Sequence, residues 1–363
     1  MSVRRGDPAP FRVPAPADAA MVRWPEAFGR RFVVFVDVEE EFDWSAPLDP
    51  HQRAVTAMRA LPAAHARFAE RGVAPAYMVD HPAASDPAAV DILRAILADG
   101  RAALGAQLHA WVTPPYAAAA AGDSYAGNLA PLLEAAKLDT LTGLLTEAFG
   151  RPPLAYRAGR YGIGPATADL LARRGYRIES SMRARYDYSA DLGPDFTRIG
   201  NAAFRTGGLL ELPLTSVFTG RLRRQGATLY PALGRVPRAR GVFARTGLLQ
   251  RVALTPEDMP IADALAAVRI AVEEEGQRLL SFSFHSPSLV PGHTPYVRDA
   301  GDLARFWAWW TEMFALLERL GVLPATIDDI LMAADGASDD GDRAKQTPSR
   351  TFLPQEQDHD AEM

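Results

Sequence analysis

Residues 33–44 join a continuous apolar run to a cluster of carboxylates, and this junction constrains the fold more than any other part of the chain. A strand inside a parallel sheet is buried on both faces, so it reads as an unbroken series of Val, Ile and Phe, as residues 33–36 do. Side chains of a strand alternate between its faces, so Asp37 and Glu39 point the same way, about 7 Å apart along the strand. We therefore expect a buried strand that ends in two acids facing one site.

Strand-like and helix-like segments alternate along the rest of the chain. Strands are predicted at about 73–79, 101–108, 154–157, 176–179, 209–214 and 278–284. Helices are predicted at about 53–71, 85–98, 129–149, 165–175, 261–275 and 299–320. Parallel strands need crossover connections, and helices supply them. The alternation therefore predicts an α/β fold of parallel βα units, with a barrel as the favoured arrangement.

Composition and charge exclude several classes of protein. The net charge of −5 argues against a general nucleic-acid binder, since such domains are usually strongly basic. The chain has no cysteine, so any metal must be held by His, Asp, Glu or amide oxygen. No apolar h-region follows the first basic residues, and no uncharged apolar run reaches about 18 residues. We expect a cytoplasmic protein without a secretory signal or a transmembrane helix.

Composition also divides the chain into parts. Residues 1–29 are rich in Pro and Ala and are expected to form a flexible extension, whereas residues 334–363 have almost no large apolar residues and are expected to be a disordered tail. A single catalytic domain is expected at 30–333. Within it, an insert at about 219–252 contains eight arginines and no acidic residue. The insert is either a flexible solvated excursion or a site for phosphate, another anion or a membrane surface, which would allow peripheral membrane contact.

Polar residues lie at or just beyond the ends of several predicted strands. The candidates are Asp37 and Glu39, Gln107 and His109, Arg157 and Arg160, and His285. A barrel gathers the carboxyl ends of its strands at one face. There, a carboxylate and an imidazole would hold a divalent cation while a second acid and base move protons, as a metal hydrolase requires. His285 suits a general acid, since histidine titrates near neutral pH. A single histidine or arginine at such a position more often has a structural role, so the prediction depends on the joint placement of these residues.

Further residues near these strand ends are candidates for contact with a substrate. Trp111 belongs to a loop that would form a wall for a sugar, with ordinary loop packing as the alternative. Arg160 and Tyr161 lie at a glycine turn beside Arg157, which would keep the base ionised. His293, in a proline-rich loop, is a candidate for substrate contact or for loop structure.

Taken in order, four segments resemble motifs of the polysaccharide deacetylase superfamily, also called the NodB homology or carbohydrate esterase family 4, and in particular its WalW-like branch. They are Asp-Val-Glu-Glu-Glu-Phe-Asp-Trp at 37–44, Leu-His-Ala-Trp-Val-Thr-Pro-Pro at 108–115, Ala-Gly-Arg-Tyr-Gly at 158–162 and Phe-His-Ser-Pro-Ser-Leu at 284–289. The resemblance spans about residues 30–333. It implies a distorted, NodB-like (β/α) barrel of about seven parallel strands. It also implies metal-dependent removal of an N-acetyl or similar acyl group from an amino sugar of a polysaccharide or glycolipid precursor.

The resemblance also implies a role for individual residues. Asp37 matches the catalytic base, Glu39 replaces the metal-binding aspartate, and His109 is a metal ligand. Arg157 tunes the base, and His285 matches the late acid. The implied cofactor is a divalent metal ion, with zinc as the first candidate.

Two departures from the family pattern leave alternatives open. Val38 separates two acids that are usually adjacent, and Gln107 or Trp111 stands where a second imidazole is expected. Gln107 would give the metal a weaker, neutral oxygen donor. The alternatives are therefore a C–N hydrolase of a small amide or imide, and a metal-free carbohydrate-binding homologue.

Overall fold

A curved, mostly parallel β-sheet organises the computed structural model, which describes residues 10–117 and 120–345. The strands are β1 (Arg30–Val38), β2 (Ala76–Val79), β3 (Ala103–Leu108), β4 (Ala155–Ala158), β5 (Ile178–Glu179), β6 (Phe204–Thr206), β7 (Leu209–Glu211), β8 (Ser216–Thr219), β9 (Gln250–Ala253), β10 (Leu279–His285) and β11 (Val322–Pro324). The α-helices are α1 (Leu61–Ala69), α2 (His81–Ser85), α3 (Pro87–Leu97), α4 (Pro131–Phe149), α5 (Thr167–Ala172), α6 (Gly226–Leu233), α7 (Ala239–Arg245), α8 (Ile261–Arg269), α9 (Ala300–Arg319) and α10 (Ile327–Lys345).

The order of strands in the sheet is β10-β1-β2-β3-β4-β5-β7-β6, and β11 pairs with the first residues of β1. Neighbouring strands are parallel except for β6 and β7, which are antiparallel. Beyond β7 the chain returns to the free edge of β10, where the Thr215 backbone N–H donates to the Ser281 carbonyl at 3.2 Å. The prediction of a distorted (β/α) barrel is confirmed, with seven parallel strands in order from β10 to β7.

Strand β1 separates two apolar layers. Its even-numbered residues, such as Val34 and Val36, pack outward against the helices, in a core that includes Trp310 of α9. Its odd-numbered residues, Val33 and Phe35, pack in the interior together with residues of α10. Asp37 continues this interior row at the carboxyl end of the strand. The alternation of a strand therefore places a carboxylate directly above a filled apolar interior.

Two terminal segments differ from their expected behaviour. Residues 10–29, within the expected flexible extension at 1–29, contact the domain: Arg12 Nε lies 2.7 Å from Asp195 Oδ2, and Val22 N–H donates to the Ala203 carbonyl at 2.9 Å. Helix α10 continues through residues 334–345, which composition assigned to a disordered tail, and Asp335 pairs with two arginines of the barrel. Long-range contacts of this kind cannot be predicted from amino-acid composition. Residues 346–363 lie outside the described residues.

The arginine-rich insert at 219–252 forms regular secondary structure, although most of its residues are exposed or half-buried. Strands β8 and β9 form an antiparallel hairpin at its base, and helices α6 and α7 lie between them. Buried Val217 and Val252 anchor the hairpin to the main core. In the described part of the chain, no helix is long and apolar enough to cross a membrane.

Candidate active site

Asp37 forms a buried ion pair with Arg157 at the carboxyl end of the barrel. Arg157 Nη1 donates to Asp37 Oδ1 at 2.5 Å, and the side chains are 1% and 3% exposed for Arg157 and Asp37. Arg157 is itself fixed, because its Nε donates to the Ser180 carbonyl at 2.9 Å and its guanidinium lies 4.7 Å from the centre of the Phe35 ring. The pair orients the Asp37 carboxylate and leaves Oδ2 for other partners.

Glu39, Gln107 and His109 lie together next to Asp37. Gln107 Nε2 donates to Glu39 Oε2 at 3.1 Å, and His109 Nε2 lies 3.4 Å from the same oxygen. The other oxygens, Glu39 Oε1 and Gln107 Oε1, are buried acceptors without a hydrogen-bond partner. Burial raises the pKa of Glu39, although the charges of His285 and His109 oppose the shift. Glu39 therefore contacts both of the other residues predicted as metal ligands, and two oxygens of this group lack hydrogen-bond partners.

Two buried acids that the sequence analysis did not single out lie behind His109. Glu40 Oε2 lies 2.7 Å from His109 Nδ1, and Glu40 Oε1 accepts from Trp111 Nε1 at 2.7 Å. Asp80, which follows β2, accepts the Glu40 backbone N–H at 2.8 Å. One donor atom from each of Glu40, Asp80 and His109 lies within 4.8 Å of the others, so this triad also has the composition of a metal site.

The pKa values of Glu40, Asp80 and His109 are shifted in different directions. Burial and the neighbouring Glu40 raise the pKa of Asp80. Burial opposes ionisation of Glu40, but the charge of His109 and hydrogen bonds from Asp80 and His109 lower the pKa of Glu40 below its usual value. Burial likewise opposes the charged form of His109, yet Glu40 and Glu39 raise the pKa of His109. The arrangement is that of a carboxylate that orients a histidine through Nδ1 and leaves Nε2 for a ligand.

His285 ends β10 opposite Asp37, its register partner on β1. Its Nε2 lies 3.8 Å from Asp37 Oδ2, and its Nδ1 lies 2.7 Å from Glu257 Oε2. Glu257 also accepts the His285 backbone N–H at 3.0 Å and the Ser288 hydroxyl at 2.5 Å. Burial opposes the imidazolium, but the charges of Glu257 and Glu39 raise the pKa of His285 to about 10. His285 is therefore protonated at neutral pH and faces the carboxylate of Asp37.

Glu257 was missed by sequence reasoning. It belongs to the segment between β9 and α8, outside every motif, and meets His285 only through the fold. Asp80 and Glu40 carried a usable signal, because one follows a buried strand directly and the other adjoins Glu39.

A cavity of about 1170 Å³ lies at this end of the barrel. The predicted site residues that line it are Asp37, Glu39, Gln107, His109, Trp111, Arg157, Arg160, Tyr161 and His285. Aromatic side chains form much of the remaining wall: Phe42, Trp44, Tyr116, Tyr188 and Tyr296. His293 is not among the lining residues; its Nδ1 lies 3.3 Å from Glu41 Oε2. The structure thus gathers the predicted polar groups, except His293, in one cavity with an aromatic wall.

No protein-family model and no curated protein matches the sequence. Several solved structures, however, are similar to the chain. A Mycobacterium smegmatis protein assigned as a polysaccharide deacetylase is 18% identical with a TM-score of 0.48, over 94% of this chain and 99% of that one. The chitin deacetylase from Colletotrichum lindemuthianum is 12% identical with a TM-score of 0.41, over 87% and 91%. The 4-alpha-glucanotransferase from Thermococcus litoralis is 10% identical with a TM-score of 0.43, over 83% and 38%.

Two of these three structures are thus described as deacetylases. Since each of these TM-scores is below 0.5, we infer the activity from the geometry of the site.

Proposed function

We propose that the chain is a metal-dependent hydrolase that removes an N-acetyl or similar acyl group from an amino sugar of a polysaccharide or glycolipid precursor. The observation that carries the proposal is the convergence of three units on one cavity. They are the Asp37–Arg157 ion pair, the contact of Glu39 with Gln107 and His109, and the His285–Glu257 pair.

The residues present fit a divalent cation. Glu39 Oε1 and Gln107 Oε1 are buried in the cavity wall without hydrogen-bond partners, and His109 offers Nε2 because Nδ1 is used by Glu40. Glu40 and Asp80 instead direct oxygens to Trp111 Nε1 and to backbone N–H groups, so they suit a supporting role. We therefore assign Glu39, His109 and Gln107 as ligands. A cation of the zinc type would polarise the acyl carbonyl and make the attacking water more acidic.

The protein's own residues would handle the protons. Asp37 accepts the proton of the attacking water through Oδ2, while Arg157 holds Oδ1 and keeps the carboxylate in position. His285, held protonated by Glu257, donates a proton from Nε2 to the departing amine nitrogen. One bond between the acyl carbon and nitrogen breaks, and one bond between the acyl carbon and the water oxygen forms. The products are a carboxylic acid and a free amine.

The cavity favours a sugar over a small amide or imide. Its volume of about 1170 Å³ exceeds what a small cyclic amide needs, and its aromatic wall offers flat faces for sugar rings. Trp44, 36% exposed, stands 5.4 Å from the His285 ring, so a ring stacked on Trp44 would lie beside the proposed acid.

A substrate panel tests this proposal. Acetate and free amine are measured after incubation with N-acetylglucosamine oligomers and, separately, with cyclic amides, for the full chain supplied with zinc. We expect acetate and amine in equal amounts from the oligomers, no opening of the cyclic amides, and neither product from Asp37→Asn. Turnover of the cyclic amides alone would establish the other C–N hydrolase. Undiminished turnover by Asp37→Asn would exclude Asp37 as the base.

A further inference from the structure

Arg183, in the cavity wall, and nearby Arg251 form no ion pair within the described residues. Arg183 lines the cavity, and Arg251 reaches the same place from β9. Their guanidinium carbons lie 4.1 Å and 3.3 Å from the centre of the Tyr186 ring. Neither residue takes part in an ion pair of the described chain, although neighbouring Arg185 pairs with an acid at 3.1 Å. The charge of Asp258 acts on Arg183 without forming an ion pair, so Arg183 and Arg251 are two neighbouring positive charges without a carboxylate in direct contact among the described residues.

The hydrogen bonds of the two guanidinium groups are also incomplete. Arg183 donates to Tyr188 Oη at 3.5 Å, a long contact, and Arg251 donates to the Arg185 carbonyl at 2.7 Å. Arg251 Nε is buried without a partner. A guanidinium group has five N–H donors, so most donors of Arg183 are unused. Burial lowers the pKa of Arg251, and the like charge of Arg183 acts in the same direction. An anion bound to Arg183 in the cavity would offset this repulsion and accept hydrogen bonds from donors of Arg183 that have no protein partner.

Arg183 and Asp37 share a neighbour in the cavity wall, Tyr161. Its guanidinium carbon lies 5.5 Å from the centre of the Tyr161 ring. Burial raises the pKa of Tyr161, and the charges of Arg183 and Asp37 act on that hydroxyl in opposite directions. One substrate molecule would therefore contact Arg183 while its acyl group lies at Asp37.

We propose that Arg183, supported by Arg251 across the Tyr186 ring, binds a carboxylate or phosphate group of the substrate. This inference rests on the proposed function for the identity of the reacting group. Guanidinium matches both anions because its parallel N–H groups form two hydrogen bonds to two anion oxygens. The tyrosine rings hold the plane of Arg183 while leaving its edge donors available. The preferred substrate then carries an acidic group, while neutral N-acetylglucosamine oligomers bind the same site more weakly. Arg251 gives the arginine-rich insert a part in this recognition.

Binding to the full chain tests the inference without requiring turnover. Calorimetric titrations compare N-acetylglucosamine, N-acetylglucosamine 1-phosphate and N-acetylmuramic acid, which present no acid, a phosphate and a carboxylate. We expect at least one acidic ligand to bind about 10- to 100-fold more tightly than the neutral sugar, the effect of a charge-assisted hydrogen-bonded pair. Comparison of the two acidic ligands distinguishes phosphate from carboxylate.

Variants assign the preference to the arginine. Arg183→Gln should remove it, Arg183→Lys should keep part of it, and Arg224→Gln, at an exposed arginine of the insert, should leave it unchanged. Circular dichroism verifies folding. If Arg183→Gln does not fold, Arg183→Lys becomes the test: lysine cannot form two parallel hydrogen bonds to the anion, so the preference for acidic sugars should be reduced. Equal affinity for neutral and acidic sugars, no binding of any acidic ligand, or a full preference in the folded Arg183 variant would overturn the inference. Absence of acetate release alongside an intact preference would refute the hydrolase instead.

Discussion

Replacing Glu257 with Gln should shift the pH dependence of turnover, because Glu257 supplies the largest favourable charge on His285. The carboxylate lies 2.7 Å from His285 Nδ1 and raises the pKa of the imidazole from 6.5 to about 10, together with Glu39 and Asp37. Gln keeps the shape and the acceptor oxygen but removes the charge. The pKa of His285 in Glu257→Gln should therefore fall toward 6.5.

The size of the effect follows from the fraction of His285 that is protonated. With a pKa of about 10, nearly all of it is protonated at pH 8, whereas with a pKa of 6.5 only about 3% is. Turnover by Glu257→Gln at pH 8 should fall by up to about 30-fold relative to the unsubstituted protein, and the two rates should approach each other near pH 5.5. Glu39 and Asp37 still favour the imidazolium in the variant, so 30-fold is an upper limit.

Steady-state rates from pH 5.5 to 9 at saturating metal and substrate measure this shift, with Glu70→Gln on an exposed helix end as the control for the same chemical change. The ion pair also stabilises the fold. Because the pKa of His285 is raised on folding, the contribution of this ion pair to the free energy of unfolding is complete below pH 6.5 and is lost as the pH rises through 10. Parallel pH profiles for Glu257→Gln and the unsubstituted protein would refute the role of His285 as the acid.

Three further outcomes are expected. Arg157→Leu should lower the free energy of unfolding by about 3–5 kcal/mol in urea titrations, because buried Asp37 then loses its hydrogen-bonded partner and keeps only His285, whose Nε2 lies 3.8 Å from Oδ2. A loss below about 1 kcal/mol would mean that the Asp37–Arg157 pair is not desolvated. After dialysis, His109→Ala should contain less than one tenth of the zinc that the unsubstituted chain contains, as measured by plasma emission. The control His65→Gln, away from the cavity, should keep its zinc. Equal zinc content in both variants would exclude His109 as a ligand. Trp44→Ala should raise KM for oligosaccharides about tenfold with kcat little changed, and an unchanged KM would remove Trp44 from the sugar site.

Much of the barrel was predictable because a buried strand records its environment in its own residues. Val33, Phe35 and Asp37 share one face, and this period of two both fills the interior and places the acid at the site. The neighbouring strand ends then follow from parallel topology, which brings His109 and His285 to the same cavity. The catalytic and ligand roles given to these residues stay predictions.

The supporting residues were less accessible to sequence reasoning. Glu257 contacts His285 across 28 positions from a segment without regular structure, and Arg183 meets Arg251 only because the insert folds back as a hairpin. Such contacts depend on tertiary packing, which cannot be read from the periodicity of hydrophobic residues along the sequence. The order of the insert was missed for the same reason, since Val252 is buried by distant residues. The membrane contact of the insert stays a prediction.

Anomalous diffraction at the zinc edge from crystals grown with zinc would locate the cation relative to the two candidate groups of ligands. We predict one peak, bonded to His109 Nε2 at about 2.0–2.1 Å and to a Glu39 oxygen at about 2.0–2.2 Å, in the cavity beside Asp37. A peak bonded to His109 Nδ1 with Glu40 and Asp80, or no peak at His109, would contradict the proposed site.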